Sequence, residues 1–265
     1  MPDDSALPRF PTSLGASDRT SITLLGHDLA QELIGEVTFG ELAFWLLTLQ
    51  RPTAQQRRVF EGVLVALADH GFTPTAIAAR LTYLSAPDAV QGALAAGLLG
   101  GGSRYLGVTE DTGRFLAETL RNAVIPPSDD AGWNVLAEQA VSARAATGQP
   151  VPGLGHPVHK DGDPRTPRII EIAQAEGVYG PHLALFEAIG RVHAGILGKH
   201  LPLNGAGVCG AALADLGLPP ELLRGTALLA RCAGLLGHIA EEIRRPVADS
   251  IYRTVDHNAE YIGPD

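Results

Sequence analysis

Beyond Pro219-Pro220 the chain places Leu222, Leu229, Leu236 and Ile243 seven residues apart, with Leu228, Cys232, Leu235 and Ile239 forming a second apolar seam beside them. A segment apolar on nearly every side has to be a helix enclosed by other elements. The segments before it share its period. Thr38 to Leu49 carries a mixed apolar face that stops before Pro52, and Thr53 caps a stretch in which Val59, Val63 and Leu67 recur at spacing four. Helices are also expected over Ala89 to Leu99, Asp111 to Val124, Asp130 to Thr147, Pro167 to Glu176 and His182 to Leu197, and again around 205 to 216. Ala89 to Leu99 is so rich in Ala and Gly that its neighbours must approach closely. Ile22-Thr23-Leu24 reads as a lone short strand. With no alternating strand series and no internal repeat, the fold class is all-α.

The chain has 265 residues, 45% of them hydrophobic, enough for one large core or two unequal lobes. Its net charge of −9, without any basic stripe, speaks against nucleic acid and anionic membrane surfaces as partners. The most apolar run, Ala227 to Ala240, is broken by Arg231 and His238 and is too short to span a bilayer. Cys209 and Cys232 are the two cysteines, both inside apolar segments, and Met1 to Thr20 lacks the order of a secretory leader, so a reducing cytoplasm is the expected location. Residues 1 to 20, rich in Pro, Ser and Asp, should form an extended arm.

The chemistry concentrates in Pro152-Gly153-Leu154-Gly155-His156-Pro157-Val158 and Asp163-Pro164-Arg165. Prolines fix φ and glycines permit close approach, so this loop has a defined shape, and His156 on it is a proton-transfer candidate. Asp163 suits a cap and Pro164 a first helical position, which puts Arg165 in the first turn, where free N–H groups already favour an anion. Arg231 lies among leucines and alanines, and burying a guanidinium alone costs several kcal/mol. Its partner is either an internal carboxylate, Glu241 or Glu242 near His238, or a ligand carboxylate. His70 closes a helix, with Gly71 as the C-cap glycine.

Other patterns carry less. His159, His182, His193, His200 and His257 lack ligand spacing with cysteines or carboxylates, so no metal is expected. Gly100-Gly101-Gly102 has no Lys-Ser/Thr ending and follows no strand, so it reads as a turn or a close helix approach and not as a phosphate loop. Neither cysteine sits beside a plausible base, and no serine occupies a nucleophile elbow.

Four motifs in order, Leu67-Ala68-Asp69-His70-Gly71 leading to Arg80, Gly155-His156-Pro157-Val158 with Asp163-Pro164-Arg165, Leu203-Asn204-Gly205-Ala206-Gly207, and Ala230-Arg231-Cys232-Ala233-Gly234 with His238, resemble the citrate synthase superfamily. The resemblance covers nearly everything after residue 20 and points to the compact branch of citryl-CoA lyases and the lyase module of ATP-citrate lyase. It implies an all-helical fold with a large domain from 21–110 plus 204–265 and a smaller inserted one from 111–203. It also implies a homodimer, or a higher oligomer built from it, acting on an acyl-CoA and a di- or tricarboxylate, with a coenzyme A thioester as substrate and no resident cofactor. Matched motif by motif, His70, Arg165 and Arg231 would hold carboxylates and His156 would work at the carbonyl or hydroxyl oxygen. Arg253 would reach the partner's site.

Two positions depart from that pattern. Synthases carry a His-Gly-Gly step where this chain has Arg104-Tyr105-Leu106-Gly107, so Tyr105 or one of its neighbours takes the place of the residue that polarises the thioester. ATP-citrate lyase has an Arg-aromatic-Gly step there, which favours cleavage over synthesis. The family's acid/base aspartate sits in an Asn-x-Asp step, whereas here Asn204-Gly205 is followed by Ala206, whose methyl moves no proton. His200, Asp215 or a water would have to stand in, or turnover is very slow. The expected function is therefore a citryl-CoA lyase-like carbon–carbon cleavage. The alternative is a catalytically weak or inactive binding or regulatory subunit.

Overall fold

The computed structural model describes residues 9–124 and 127–264. Within them the chain forms α1 (Phe39–Thr48), α2 (Ala54–Ala68), α3 (Pro74–Ser85), α4 (Val90–Leu99), α5 (Val108–Asn122), α6 (Asp130–Ala146), α7 (Arg165–Ala175), α8 (Pro181–Leu197), α9 (Gly205–Asp215), α10 (Leu223–Arg244) and α11 (Ala248–His257). The class is all-α, as the periodicity requires. Thr38 and Thr53 cap α1 and α2 through their hydroxyls, and Thr53 and Gln56 form a reciprocal capping box.

The core lies where α8 buries Leu183, Leu185, Phe186 and Ile189 against Val208, Ala212 and Leu213 of α9 and Val59, Phe60 and Val63 of α2. Each such Leu, Ile or Phe contributes roughly 1.5–3 kcal/mol by leaving water. The Gly/Ala pattern of α9 has a direct use: a Cβ on Gly210 would overlap the Thr109 carbonyl oxygen of α5.

Three features differ from the sequence expectation. Ile22–Leu24 is not alone but is the middle strand of an antiparallel sheet with Gly15–Ser17 and His27–Asp28, its hairpin turned by Leu25 and Gly26, both at positive φ. Part of the N-terminal arm is thereby ordered as strand, while residues 1–8 of that expectation lie outside the described residues. Helix α3 was not foreseen. Thr73 accepts from the Ala76 N–H and Pro74 occupies the first position, a readable start, but buried Arg80 on its inner face hides the apolar period. Helix α11 escaped as well, because Ala248 is its only buried residue and nothing in the core registers it.

The crossing of α10 over the end of α2 positions the site. At Gly234 a Cβ would overlap the Ala68 carbonyl oxygen, so the helices meet backbone to backbone, with His238 Nε2 at 2.9 Å and Arg231 at 3.7 Å from the next residue, Asp69. Gly234→Ala is expected to force these helices apart and lower stability by about 1–3 kcal/mol. Urea unfolding reads this directly, and an unchanged midpoint would contradict so close a crossing.

Candidate functional site

A cavity of about 790 Å³ opens between the turn after α2, the start of α5, α10 and the loop from Pro150 to Arg165, and its lining includes His70, Tyr105, His156, Arg165, Ala206 and Arg231. Five of the six residues singled out from the sequence thus face one space. The loop is shaped by Gly153 and Gly155, both near φ +84°, and a side chain at Gly153 would strike the Phe186 ring. It is stitched to the segment before α9: Gly155 N–H donates to Pro202 O (2.7 Å), Asn204 N–H to Gly153 O (2.9 Å) and Asn204 Nδ2 to Gly155 O (2.8 Å).

Two backbone N–H groups, of Val158 (3.1 Å) and His159 (2.9 Å), donate to Nδ1 of His156. A neutral ring held this way carries its proton on Nε2. Burial lowers the affinity of this imidazole for a second proton; Asp163 opposes that, and His159, His70 and Arg165 add to it. His156 is therefore poised as a neutral N–H donor into the cavity. It has no free lone pair for taking a proton from a substrate hydroxyl.

Arg165 is the first residue of α7, one position later than the Asp163 cap expected, since Pro164 is the N-cap. Asp163 does more than cap. It is 2% exposed, and its two carboxylate oxygens accept from Nε (3.0 Å), Nη2 (2.8 Å) and the backbone N–H (3.1 Å) of Arg165 and from the Gly205 N–H (2.7 Å) at the start of α9. Burial works against its charge, yet these donors outweigh that and hold the carboxyl far below the usual carboxylate range. Arg165 is thus an oriented, half-neutralised cation whose Nη1 also donates to Ala66 O.

Arg231 is different. It is 5% exposed, its Nε and Nη1 are buried without any hydrogen-bond partner, and the nearest carboxylate, Asp69, stands 3.7 Å away. Burial pulls the guanidinium below its ordinary value; Asp69 opposes this and Arg165 adds repulsion. The internal partners expected from sequence are taken elsewhere. Glu241 and Glu242 both pair with Arg80, which is fully buried on α3, and Arg80 Nε also donates to His238 Nδ1 (3.0 Å). His238 in turn donates through Nε2 to Asp69. A desolvated guanidinium whose Nε and Nη1 make no hydrogen bond, and whose one ion pair is the 3.7 Å contact with an Asp69 shared with His238, favours a further anion in the cavity beside it.

The end of α2 and the stand-ins for Ala206 differ from the expectation. Helix α2 ends at Ala68, and His70 lies in the following turn, with Gly71 at φ +70° and its N–H donating to Asp69. Neither stand-in for Ala206 reaches the cavity. Asp215 is saturated by the N–H groups of Gly180, His182 and Leu183 and by His182 Nδ1, and His200 packs beside His193. The carboxylates that do line the cavity are Asp111 and Glu118 of α5. Arg253 stands apart on α11, exposed and paired with Asp249 at 2.8 Å. Cys209 is buried, and burial pushes its thiol up to about 12.

The structure also assembles what spacing concealed: one ring nitrogen each of His70, His156 and His159 lies within 4.8 Å of the other two. As a metal-ligand set the three do not fit, because the two N–H donors at Nδ1 of His156 leave its Nε2 protonated. No sequence signal pairs His70 with His159, since tertiary contact alone joins the turn after α2 to the loop before α7.

The citrate synthase C-terminal domain family matches residues 7–254. This chain belongs to the citrate synthase family. Among solved structures it is similar to citryl-CoA lyase from Hydrogenobacter thermophilus, with TM-score 0.84, 30% identity, and 97% of this chain and 95% of that one covered. It shares the fold of ATP citrate lyase from Methanothrix soehngenii, solved with citrate and coenzyme A, at TM-score 0.79 and 22% identity over 98% of this chain and 42% of that one. Among curated proteins it is 27% identical to citrate synthase from Deinococcus radiodurans over 88% of its length. It spans 59% of that relative and 57% of citrate synthase 2 from Bacillus subtilis, which is 24% identical over 86% of this chain. The family accounts for the ordered motifs. Among the described residues no helix is long and apolar enough to cross a membrane.

Proposed function

We propose that this protein is a citryl-CoA lyase-like enzyme, cleaving a citryl-type thioester reversibly into an acyl-CoA, such as acetyl-CoA, and oxaloacetate or a related 2-keto acid. The observation that carries the reading is the buried Arg231 guanidinium, with Nε and Nη1 lacking any hydrogen bond, sharing one cavity with Arg165, His70 and His156. A polycarboxylate supplies the missing counter-charge, and 790 Å³ accommodates it together with the acyl end of a thioester. The similarity to the Hydrogenobacter lyase along nearly the whole of both chains supports cleavage over synthesis.

In cleavage the tertiary hydroxyl passes its proton to a water, its electrons form the keto C=O, and the broken C–C bond leaves its pair on the thioester as an enolate that takes that proton back on carbon. His156 Nε2–H donates to the oxygen that gains charge, a contribution of about 10²–10⁴ in rate. Arg231 and Arg165 fix the carboxylates, and Tyr105, half-exposed at the cavity, contacts the thioester. We assign Arg253 to a partner protomer's site in a homodimer. Residues 111–203 would form the small domain that rotates over coenzyme A. The site works in a reducing cytoplasm, with no resident cofactor beyond the thioester substrate.

With citryl-CoA, purified protein is expected to release oxaloacetate, read by coupled NADH oxidation, and His156→Ala to lower that rate by about 10²–10⁴ while citrate still binds. A second reading rests on Ala206 and on the donor state of His156, since neither supplies a base: a binding or regulatory subunit that keeps the pocket. Calorimetric binding of citrate or acetyl-CoA with no turnover would favour that subunit.

A further inference from the structure

His159 is absent from the set of residues that the motifs assign to substrate. Its ring lies tilted at 35° against His156 with centroids 4.5 Å apart and meets the His70 ring edge-on at 5.6 Å, while His70 and His156 are 5.2 Å apart. The three rings form one closed cluster. No hydrogen bond to another side chain or carbonyl engages the ring nitrogens of half-buried His70 or His159 among the described residues, whereas the buried histidines His193 and His238 are tied down, His193 by Ile189 O and the Leu201 N–H and His238 by Arg80 and Asp69. Two rings with idle nitrogens beside the cavity's third imidazole have a donor capacity that the empty protein does not use.

The charges around the cluster decide what it can accept. Asp163 is the nearest carboxylate, 3.9 Å from His156 Nε2, but it is committed to Arg165 and Gly205. Arg165 flanks it on α7, Arg231 lines the same cavity from α10 with Asp69 beside it, and the Lys160 ammonium bonds the His156 carbonyl (2.9 Å). The balance is cationic. A carboxylate seated against imidazoles favours their protonated form.

We propose that His159, packed against the His156 ring, completes with His70 a two-imidazole clamp that holds one carboxylate of a tricarboxylate guest, selecting it over dicarboxylates, and that the clamp takes up a proton as the guest binds. This rests on the reading of the cleft as a polycarboxylate site. Arg231 and Arg165 hold the remaining carboxylates, so a guest with two is satisfied by the arginines alone. His159 is thus a specificity residue, distinct from the oxygen-directed N–H of His156.

The test is calorimetric titration of the full-length protein with citrate and, separately, malate, at pH 6 and pH 8 in buffers of low and high ionisation enthalpy. For the unaltered protein citrate is expected to bind about tenfold tighter at pH 6 than at pH 8, with net proton uptake, and malate to change little. One proton taken up over the lower part of this range corresponds to about a tenfold change per pH unit at most. His159→Gln keeps an N–H donor but cannot charge, so it should retain citrate binding at pH 8 and lose the tightening at pH 6. His159→Leu should lose citrate selectivity at both. Merely structural support of the loop would weaken both guests equally in both variants, leave proton uptake intact and overturn the proposal. Unchanged proton uptake in His159→Gln overturns it too, as does stoichiometric Zn²⁺ binding that His159→Gln abolishes, which would make the cluster a metal site. Failure of the unaltered protein to bind either guest rejects the cleft reading itself.

Discussion

Asp163→Ala should cost this protein about 3–5 kcal/mol of stability, the loss expected when one partner of a buried ion pair is removed and the other stays behind. Its carboxylate is the single acceptor that joins the Arg165 guanidinium, the first N–H of α7 and the first N–H of α9. Removing it strands a cation that lines the cavity and frees the start of the helix that carries Ala206. Urea unfolding at neutral pH measures the loss. Because the folded carboxyl is held far below the ordinary carboxylate value, its contribution is fully present above about pH 4 and disappears as pH falls through the lower folded value. The unaltered protein should therefore lose stability in strong acid in part through this group, and Asp163→Ala should show a shallower acid limb. A variant as stable as the parent, with the same acid limb, would show that Asp163 is not the joint between the loop and the two helices.

Arg231→Met should weaken binding of citrate by more than a hundredfold, about 3 kcal/mol, while leaving the fold intact or slightly more stable. The asymmetry follows from what surrounds the guanidinium. Two of its nitrogens are buried without a partner, so the empty protein gains little from the charge, and methionine fills comparable space without desolvating one. Calorimetry with citrate and a parallel thermal melt separate the outcomes. Unfolding of the variant would mean that Asp69, at 3.7 Å, is the true partner and that Arg231 is a structural ion pair.

The helices were legible wherever caps and period agree. Thr53 with Gln56 marks α2 as plainly in the sequence as in the structure. Where a helix buries a charge, as α3 buries Arg80, the period is broken and the element was missed, although its Thr73-Pro74 start was on view. Most of the cavity lining was legible too, since His156, Arg165 and Arg231 are anomalous residues in apolar or rigid settings, and such anomalies need a reason. Their partners were not. Glu241 and Glu242 follow Arg231 on the same helix, but helix geometry turns them to Arg80, while Asp69 arrives from a segment far away along the chain.

By itself the sequence determined that this chain is helical and that a histidine and two arginines await an anion, because local propensity, apolar period and the cost of burying charge are written residue by residue. Tertiary structure alone decided which charges are already satisfied. Asp163 neutralises Arg165 in part, Arg231 is left open, and His159 is brought against His70 and His156. Those outcomes depend on contacts between residues far apart in the chain, set by where backbones can approach, as at Gly234, and no pattern of spacing records them.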